Sequence, residues 1–343
     1  MATAMNVRAV RVAAPGGPEA MGLETLELPA PGPGMVRVEN RAIGVNYIDT
    51  YHRSGLYPLP LPTGIGLEAA GVVEAVGEGV DLPVGTRVGY CAAGIGAYAE
   101  AINLPASRLV PLPDAVDFET AAAVLLKGCT VEYLLQRTWP LAAGETCLFH
   151  AAAGGVGQLF GQWAASLGAT VIGTVGTAEK AALARDCGYH HVINYREEDV
   201  VERVRELTGG AGLPVVYDGV GRDTFFASLD CLRPRGLMVS FGNASGSPPP
   251  LDLQELAQRG SLFITRPTLL SYVADDAEMQ ASAAAVLDRV ADGRLVVAVD
   301  QRYALADVRQ AHEELEARRT TGSSVLLPGK IFAAAEPSAE GGV

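Results

Sequence analysis

The stretch Glu145–Gly157 reads ETCLFHAAAGGVG. A short apolar run leads into a turn of small residues, and Val156, Leu159, Phe160, Trp163, Ala164 and Leu167 then recur at i, i+3, i+4, i+7, i+8 and i+11. That period is one face of a helix, and Gly168 stands where a helix-ending glycine belongs. The order is therefore strand, tight turn, helix. Gly154, Gly155 and Gly157 occupy the turn, with Ala152 at the first glycine position. Small residues are needed there because backbone N–H groups must come close to a pyrophosphate, while the helix N-terminus adds partial positive charge. A glycine pattern alone is a weak signal; between a strand and a helix it predicts a dinucleotide site.

Working outward, strand-like runs at Thr146–His150, Thr170–Val175, His191–Tyr195, Val215–Asp218, Leu237–Phe241 and Ser261–Thr265 alternate with amphipathic helices. Cys187-Gly188 and Thr208-Gly209 end two of those helices. Six such strands predict an α/β unit, a doubly wound parallel sheet covered on both faces. Before it, β-prone runs at Val7–Val12, Met35–Ile43, Ala69–Val76 and Arg87–Cys91 are separated by Pro/Gly turns, which predicts a compact β unit. After Pro267 come two helical patterns and a strand at Ser324–Leu327. The expected organisation is a β-rich unit over 1–127, a dinucleotide unit over 128–266, a return to the first unit over 267–330, and a frayed tail over 331–343.

Composition bounds the possible functions. The 343 residues carry a formal net charge of −13, from 26 basic and 39 acidic side chains. That argues against a general nucleic-acid or anionic-membrane surface, and no apolar run approaches the ~18 residues of a membrane span. The five cysteines include no C-x-x-C pair. Neither a disulfide framework nor a zinc ribbon is expected, and reduced thiols in the cytoplasm fit better. The N-terminus shows no signal-peptide pattern.

NAD sites carry an Asp or Glu about 20 residues after the glycines, on the ribose hydroxyl. Here that position falls in Gly173–Thr177, which holds no carboxylate, while Lys180, Tyr195 and Arg196 lie just beyond. A cation and hydroxyl donors suit a 2′-phosphate, and so NADPH. Spacing leaves an ordinary solvated lysine equally open for Lys180.

Several motifs in order carry a resemblance: Gly44–Tyr51 (GVNYIDTY), Arg53–Pro58 (RSGLYP), Pro62–Val73, Leu126–Thr130 (LKGCT), His150–Gly157, Val192–Asp199 (VINYREED), Val216–Asp223 (VYDGVGRD), Leu237–Asn243 (LMVSFGN) and Thr265-Arg266-Pro267. Over residues ~5–328 the chain resembles the medium-chain dehydrogenase/reductases, and within them the zeta-crystallin-like NADPH:quinone reductases. The resemblance implies a GroES-like β domain beside a Rossmann domain. It implies a zinc-free site, because Asn46 and Leu67 stand where zinc alcohol dehydrogenases place Cys and His. Gly176, Thr177, Lys180 and Tyr195 are implied around the 2′-phosphate. Gly154, Gly155, Val156 and Gly157 are expected at the pyrophosphate, and Arg318 is implied to reach the cofactor from the other domain. Thr130, Gly219, Val220, Phe241, Gly242, Asn243 and Pro267 are expected along the nicotinamide side. Close relatives often carry Ser where this chain has Gly219.

Asn46 and Tyr51 are the candidates for orienting a carbonyl and donating a proton or hydrogen bond, although both equally suit a role as cleft lining. Tyr47, Asp49, Tyr57 and Tyr133 complete the expected substrate cleft, with Asp49 better suited to supporting its loop. His150 is expected to be structural. The leading expectation is quinone reduction with NADPH. Reduction of enones or enoyl thioesters stays open, as does a cofactor-retaining structural or RNA-binding role. A homodimer through the Ser261–Thr265 edge is expected, since a bare apolar edge is ordinarily paired or covered.

Overall fold

The computed structural model describes residues 2–329, so the tail expected at 331–343 lies outside the described residues. Strand Thr146–Phe149 lies third in a six-stranded parallel sheet. The order is His191–Asn194, Thr170–Val175, Thr146–Phe149, Leu213–Asp218, Leu232–Ser240, Phe263–Thr265. From Thr146–Phe149 the chain adds two strands on one side, then crosses back to build the other three. The order therefore reverses between Thr146–Phe149 and Leu213–Asp218, which opens a crevice at their carboxyl ends. Every residue of Leu213–Asp218 is buried, as helices on both faces require. The helix Gly155–Ser166 seals one face, with Phe160 stacked on Phe149 at 4.3 Å and Trp163 fully buried. Gly168, Gly188 and Gly209 all adopt the left-handed conformation expected of helix-ending glycines.

The second unit is β-rich. Strands Val299–Ala304, Ser323–Leu327, Met35–Val45, Glu68–Val76, Arg87–Cys91 and Val110–Pro111 form one sheet in that order, with Ala101–Pro105 pairing Met35–Val45. A smaller sheet joins Met21–Leu28, Met5–Val12 and Thr63–Gly64. Ser323–Leu327 thus sits inside the sheet begun by the N-terminal residues.

Helix Phe118–Tyr133 has no counterpart in the periodicity reading. Eleven of its 16 residues are buried, so no polar face sets a period. Asp117 caps it by accepting from Thr120 N at 2.8 Å. The helix packs on strands Met35–Val45 and Glu68–Val76, and on helices Gly155–Ser166 and Asp276–Ala291. It is therefore shared by both units, and residue 127 lies within it. A Cβ on Gly128 would approach Val286 to 2.5 Å, which fixes how closely Asp276–Ala291 can pack. No helix among the described residues is long and apolar enough to cross a membrane.

Candidate active site

The glycine turn is built as a cradle. Gly154 caps helix Gly155–Ser166, and a Cβ on Gly157 would lie 2.5 Å from the Ala151 carbonyl oxygen. A Cβ on Gly155 would meet the Gly322 oxygen and the Lys127 stem, each at 2.9 Å. Gly154 bridges to Gly322, whose N–H donates to Ala153 O at 3.3 Å. Segments from both units thus close around the helix N-terminus, leaving room for backbone but not for side chains.

At the neighbouring strand end, Thr177 caps helix Ala178–Asp186, accepting from Lys180 N at 3.2 Å. Lys180 Nζ donates to Arg318 O at 2.9 Å. Burial lowers the Lys180 pKa, and the nearby Arg318 and Arg196 charges add to the effect. Three cations from separate segments therefore converge. Arg318 holds a left-handed backbone, with its guanidinium 3.6 Å from Asp223. The Tyr195 hydroxyl covers Gly176, where a Cβ would come within 2.5 Å of it. A cationic cluster beside hydroxyl groups, with Asp223 pairing only its Arg318 member, fits a phosphate.

Under the crevice lies a buried polar network. Asp218 accepts from Val220 N, Gly221 N, Thr224 Oγ1 and Ser228 Oγ at 2.7–3.0 Å. Because Ser228 donates to Asp218, its oxygen accepts from His150 Nε2 at 3.0 Å, and His150 Nδ1 then accepts from Thr174 at 3.0 Å. His150 thus ties strand Thr170–Val175 and, through Ser228, the Asp218 strand end to the start of the glycine turn. Gly219 and Gly242 meet closely: a Cβ on Gly242 would lie 2.4 Å from Gly219 O, and one on Gly219 would lie 2.8 Å from the Phe241 ring.

At the far end, helix Tyr47–Ser54 begins at Asn46, which is 3% exposed. Asn46 N donates to Asp49 Oδ2 at 2.8 Å, and its Nδ2 donates to Glu68 Oε2 at 2.7 Å. Glu68 is fully buried and also accepts from Leu126 N at 2.7 Å, with Lys127 Nζ 3.8 Å away. Burial raises the Glu68 pKa, while Lys127 and the two hydrogen bonds oppose that shift.

Three tyrosines cross from this unit to the other. The Tyr51 hydroxyl accepts from Asn243 N at 3.0 Å, Tyr47 donates to Ala244 O at 3.2 Å, and Tyr57 accepts from Asn243 Nδ2 at 3.3 Å and Arg266 Nη2 at 2.5 Å. Their rings contact one another, with Tyr51–Tyr57 centroids 5.0 Å apart. Burial raises the Tyr51 pKa, which keeps the phenol protonated. Asn243 Oδ1 is buried without a partner among the described residues.

The structure brings Asn46, Tyr47, Asp49, Tyr51 and Tyr57 together around one helix. Tyr133 lies deeper, stacked on Tyr272 at 4.4 Å. Thr130 bonds within its own helix, to Leu126 O at 2.8 Å, and Pro267 is buried beside Arg266. Sequence reasoning missed Glu68, Lys127, Asp218 and Arg266. Glu68 and Lys127 had a signal: each is a lone charge inside an apolar run, at LEAAGVV and AVLLKGC. Arg266 had only its place in a quoted motif. Among the described residues, no group of three or more His, Cys, Asp or Glu could hold a metal ion.

Comparison with known proteins places this geometry. Residues 32–114 match the alcohol dehydrogenase GroES-like domain, and residues 155–285 match the zinc-binding dehydrogenase family. The chain is 54% identical over 321 residues to a quinone oxidoreductase of Pseudomonas aeruginosa, covering 93% of this chain and 99% of that one. It is 47% identical to a 2-haloacrylate reductase of a Burkholderia species, covering 91% and 96%. The Escherichia coli quinone oxidoreductase complexed with NADPH superposes with a TM-score of 0.92 at 50% identity, over 94% of this chain and all of that one. With this coverage and identity, the chain belongs to the quinone oxidoreductase family of the medium-chain dehydrogenase/reductases.

Proposed function

We propose that this chain catalyses the NADPH-dependent reduction of quinones without a metal ion. The observation that carries the reading is a pair of unlike side-chain groups set on the strand-end side of the parallel sheet: the Lys180–Arg196–Arg318 cations, and the tyrosine wall with Asn46. The glycine cradle would hold the pyrophosphate, and the cations with Thr177 and Tyr195 the 2′-phosphate. The unpartnered Asn243 Oδ1 suits an amide N–H donor such as a carboxamide. The nicotinamide, when bound, supplies the hydride.

The chain's own residues then align, dry and polarise the cleft. Tyr47, Tyr51 and Tyr57 present aromatic faces suited to a planar π-system. Tyr51 uses its oxygen to accept from Asn243, so its own O–H remains free to donate to a substrate oxygen as negative charge develops there. Its raised pKa keeps that proton on the phenol across neutral pH, so Tyr51 acts as a hydrogen-bond donor. Glu68 accepts a hydrogen bond from the Asn46 amide and thereby fixes that side chain's orientation. Asn46 and Leu67 at the expected ligand positions support the zinc-free reading, since neither supplies a metal donor of the tetrahedral zinc type.

A second reading, reduction of a C=C bond conjugated to a carbonyl, is favoured by the likeness to 2-haloacrylate reductase. Oxidation of NADPH by a naphthoquinone, measured beside an enone and a haloacrylate, decides between them. Faster turnover of the quinone is expected; faster turnover of both alkenes would replace this reading with the second. Full activity in a chelated, zinc-free preparation is the matching expectation for the metal. We also infer a cytoplasmic homodimer. Among the described residues, edge strand Phe263–Thr265 pairs only with Leu232–Ser240 and leaves Phe263 61% exposed, which a twofold mate would cover. Light scattering at micromolar concentration should give twice the chain mass.

A further inference from the structure

Arg53, Tyr98 and His312 come from segments far apart in sequence: helix Tyr47–Ser54, the loop before Ala101–Pro105, and helix Val308–Glu316. All three are buried. Arg53 Nη1 lies 3.0 Å from His312 Nδ1, and His312 Nε2 lies 3.1 Å from the Tyr98 hydroxyl. Tyr98 bonds Asp49 Oδ2 at 2.8 Å, and Arg53 Nη2 bonds Glu316 Oε1 at 2.8 Å.

The direction of every bond follows from one end. A guanidinium only donates, so His312 Nδ1 accepts and carries no proton. Burial, with the Arg53 charge adding, pushes the His312 pKa down to about 3, so the ring is neutral and its proton sits on Nε2. His312 must then donate to the Tyr98 oxygen, which directs the Tyr98 proton onto Asp49. Asp49 is fully buried. Its Oδ2 accepts from both Tyr98 and Asn46 N, while its Oδ1 has no partner. Burial raises the Asp49 pKa to about 7, opposed by the Asn46 and Tyr98 bonds and by Lys127, and reinforced by Glu68.

We propose that His312 is a positioning residue for the reaction: through Tyr98 it holds the Asp49 carboxylate on the Asn46 backbone, and so sets Asn46 in the cleft. The proposal rests on the quinone-reductase reading. A carboxylate that loses a donor is harder to ionise, so breaking the chain shifts the Asp49 midpoint upward. At pH 7 the carboxyl group then holds its proton and its grip on Asn46 N weakens; at pH 9 it ionises again.

The test compares His312→Leu, His312→Gln and Tyr98→Phe. With a naphthoquinone at pH 7, kcat should fall about tenfold in His312→Leu and Tyr98→Phe, the scale of one hydrogen bond to a charged group. KM for NADPH should stay within about twofold, and most of the loss should disappear at pH 9. His312→Gln keeps an acceptor for Arg53 and a donor for Tyr98, so it should recover kcat to within about threefold. Carboxyl 13C resonances of labelled aspartate, with Asp49 assigned by its absence in Asp49→Asn, should show the midpoint rising by about one pH unit in Tyr98→Phe. Should His312→Leu fail to fold, Tyr98→Phe, which deletes a single oxygen, carries the test. A folded Tyr98→Phe with unchanged kcat and carboxyl midpoint overturns the proposal. So does a loss that is equal at pH 7 and 9 and is not restored by glutamine. If the unmodified protein fails to oxidise NADPH with any quinone, the functional reading falls, while the carboxyl titration still decides the network.

Discussion

At the proposed phosphate end, the groups facing the crevice are main-chain atoms of Gly154–Gly157 and the half-exposed cations Lys180 and Arg318. At the proposed substrate end, the groups are side chains: buried Asn46 on Glu68, Glu68 beside Lys127, and three tyrosines, Tyr51 buried and Tyr47 and Tyr57 half-buried, reaching across to Asn243, Ala244 and Arg266. The first end gains specificity from the absence of side chains, where a Cβ would strike a carbonyl at 2.5 Å. The second gains it from side chains held in a dry setting, where each lost partner leaves an unpaired charge or donor. Damage at the phosphate end should therefore be local and cofactor-selective. Damage at the substrate end should spread into stability and turnover.

The largest effect that would break this contrast is at Lys127. Lys127→Met removes the cation from a pair in which Glu68 is 0% and Lys127 8% exposed. Stability should fall by about 3–5 kcal/mol, the cost of stranding a buried charge. Glu68 has a raised native pKa, so its burial penalty is absent at low pH and grows as pH rises from the ordinary carboxylate range through the raised value. The deficit should accordingly be largest in alkaline melts and shrink on acidification. A thermal melt indistinguishable from the unmodified protein's at pH 8 would place Lys127 outside the machinery of the substrate end.

Next in size is Tyr51→Phe. It removes the acceptor for Asn243 N and, on the proposed reading, the donor to the reacting oxygen. Steady-state assays should show kcat lower by about 10–100-fold, the range for a hydrogen bond to developing charge, with KM for NADPH nearly unchanged. A change of under threefold would make the tyrosine wall a lining and no more.

An effect of similar size, but confined to the cofactor, is expected at the proposed phosphate end. Lys180→Ala should weaken NADPH by roughly 1.5–3 kcal/mol and leave NADH almost untouched, because only the 2′-phosphate is lost to it. Calorimetric titration with both nucleotides checks this. Equal weakening of both would mean that Lys180 acts through its bond to Arg318 O, holding the two units together.

The same contrast explains what could be read in the chain. The phosphate loop is contiguous: strand, turn and helix occupy residues 146–166, and small residues with helical periodicity declare it. Alternation declared six strands in a parallel sheet but not their order, and within that sheet strand Thr170–Val175 has both of its expected ends. Helix Phe118–Tyr133 was hidden because a helix buried all round carries no period. Met21–Leu28 was hidden because its exposed Leu23, Glu24 and Thr25 look like loop, although they pair in register with Met5–Val12. The substrate end draws Asn46, Glu68, Lys127, Asn243 and Arg266 from five segments. Chain order cannot express such a meeting; only the lone charges within apolar runs hinted at it.

The bridge between Gly154 and Gly322 has a consequence for biosynthesis. Residues 146–265 supply the whole parallel sheet and can pair as they leave the ribosome, strand after strand. The N-terminal sheet has no such freedom. Met35–Val45 waits for Ser323–Leu327, its antiparallel neighbour, which is synthesised nearly three hundred residues later. Contacts that distant close slowly. A ribosome stalled before residue 323 would hold a nascent chain with a finished dinucleotide unit, an open seam in its β unit, and a glycine turn that Gly322 has not yet locked.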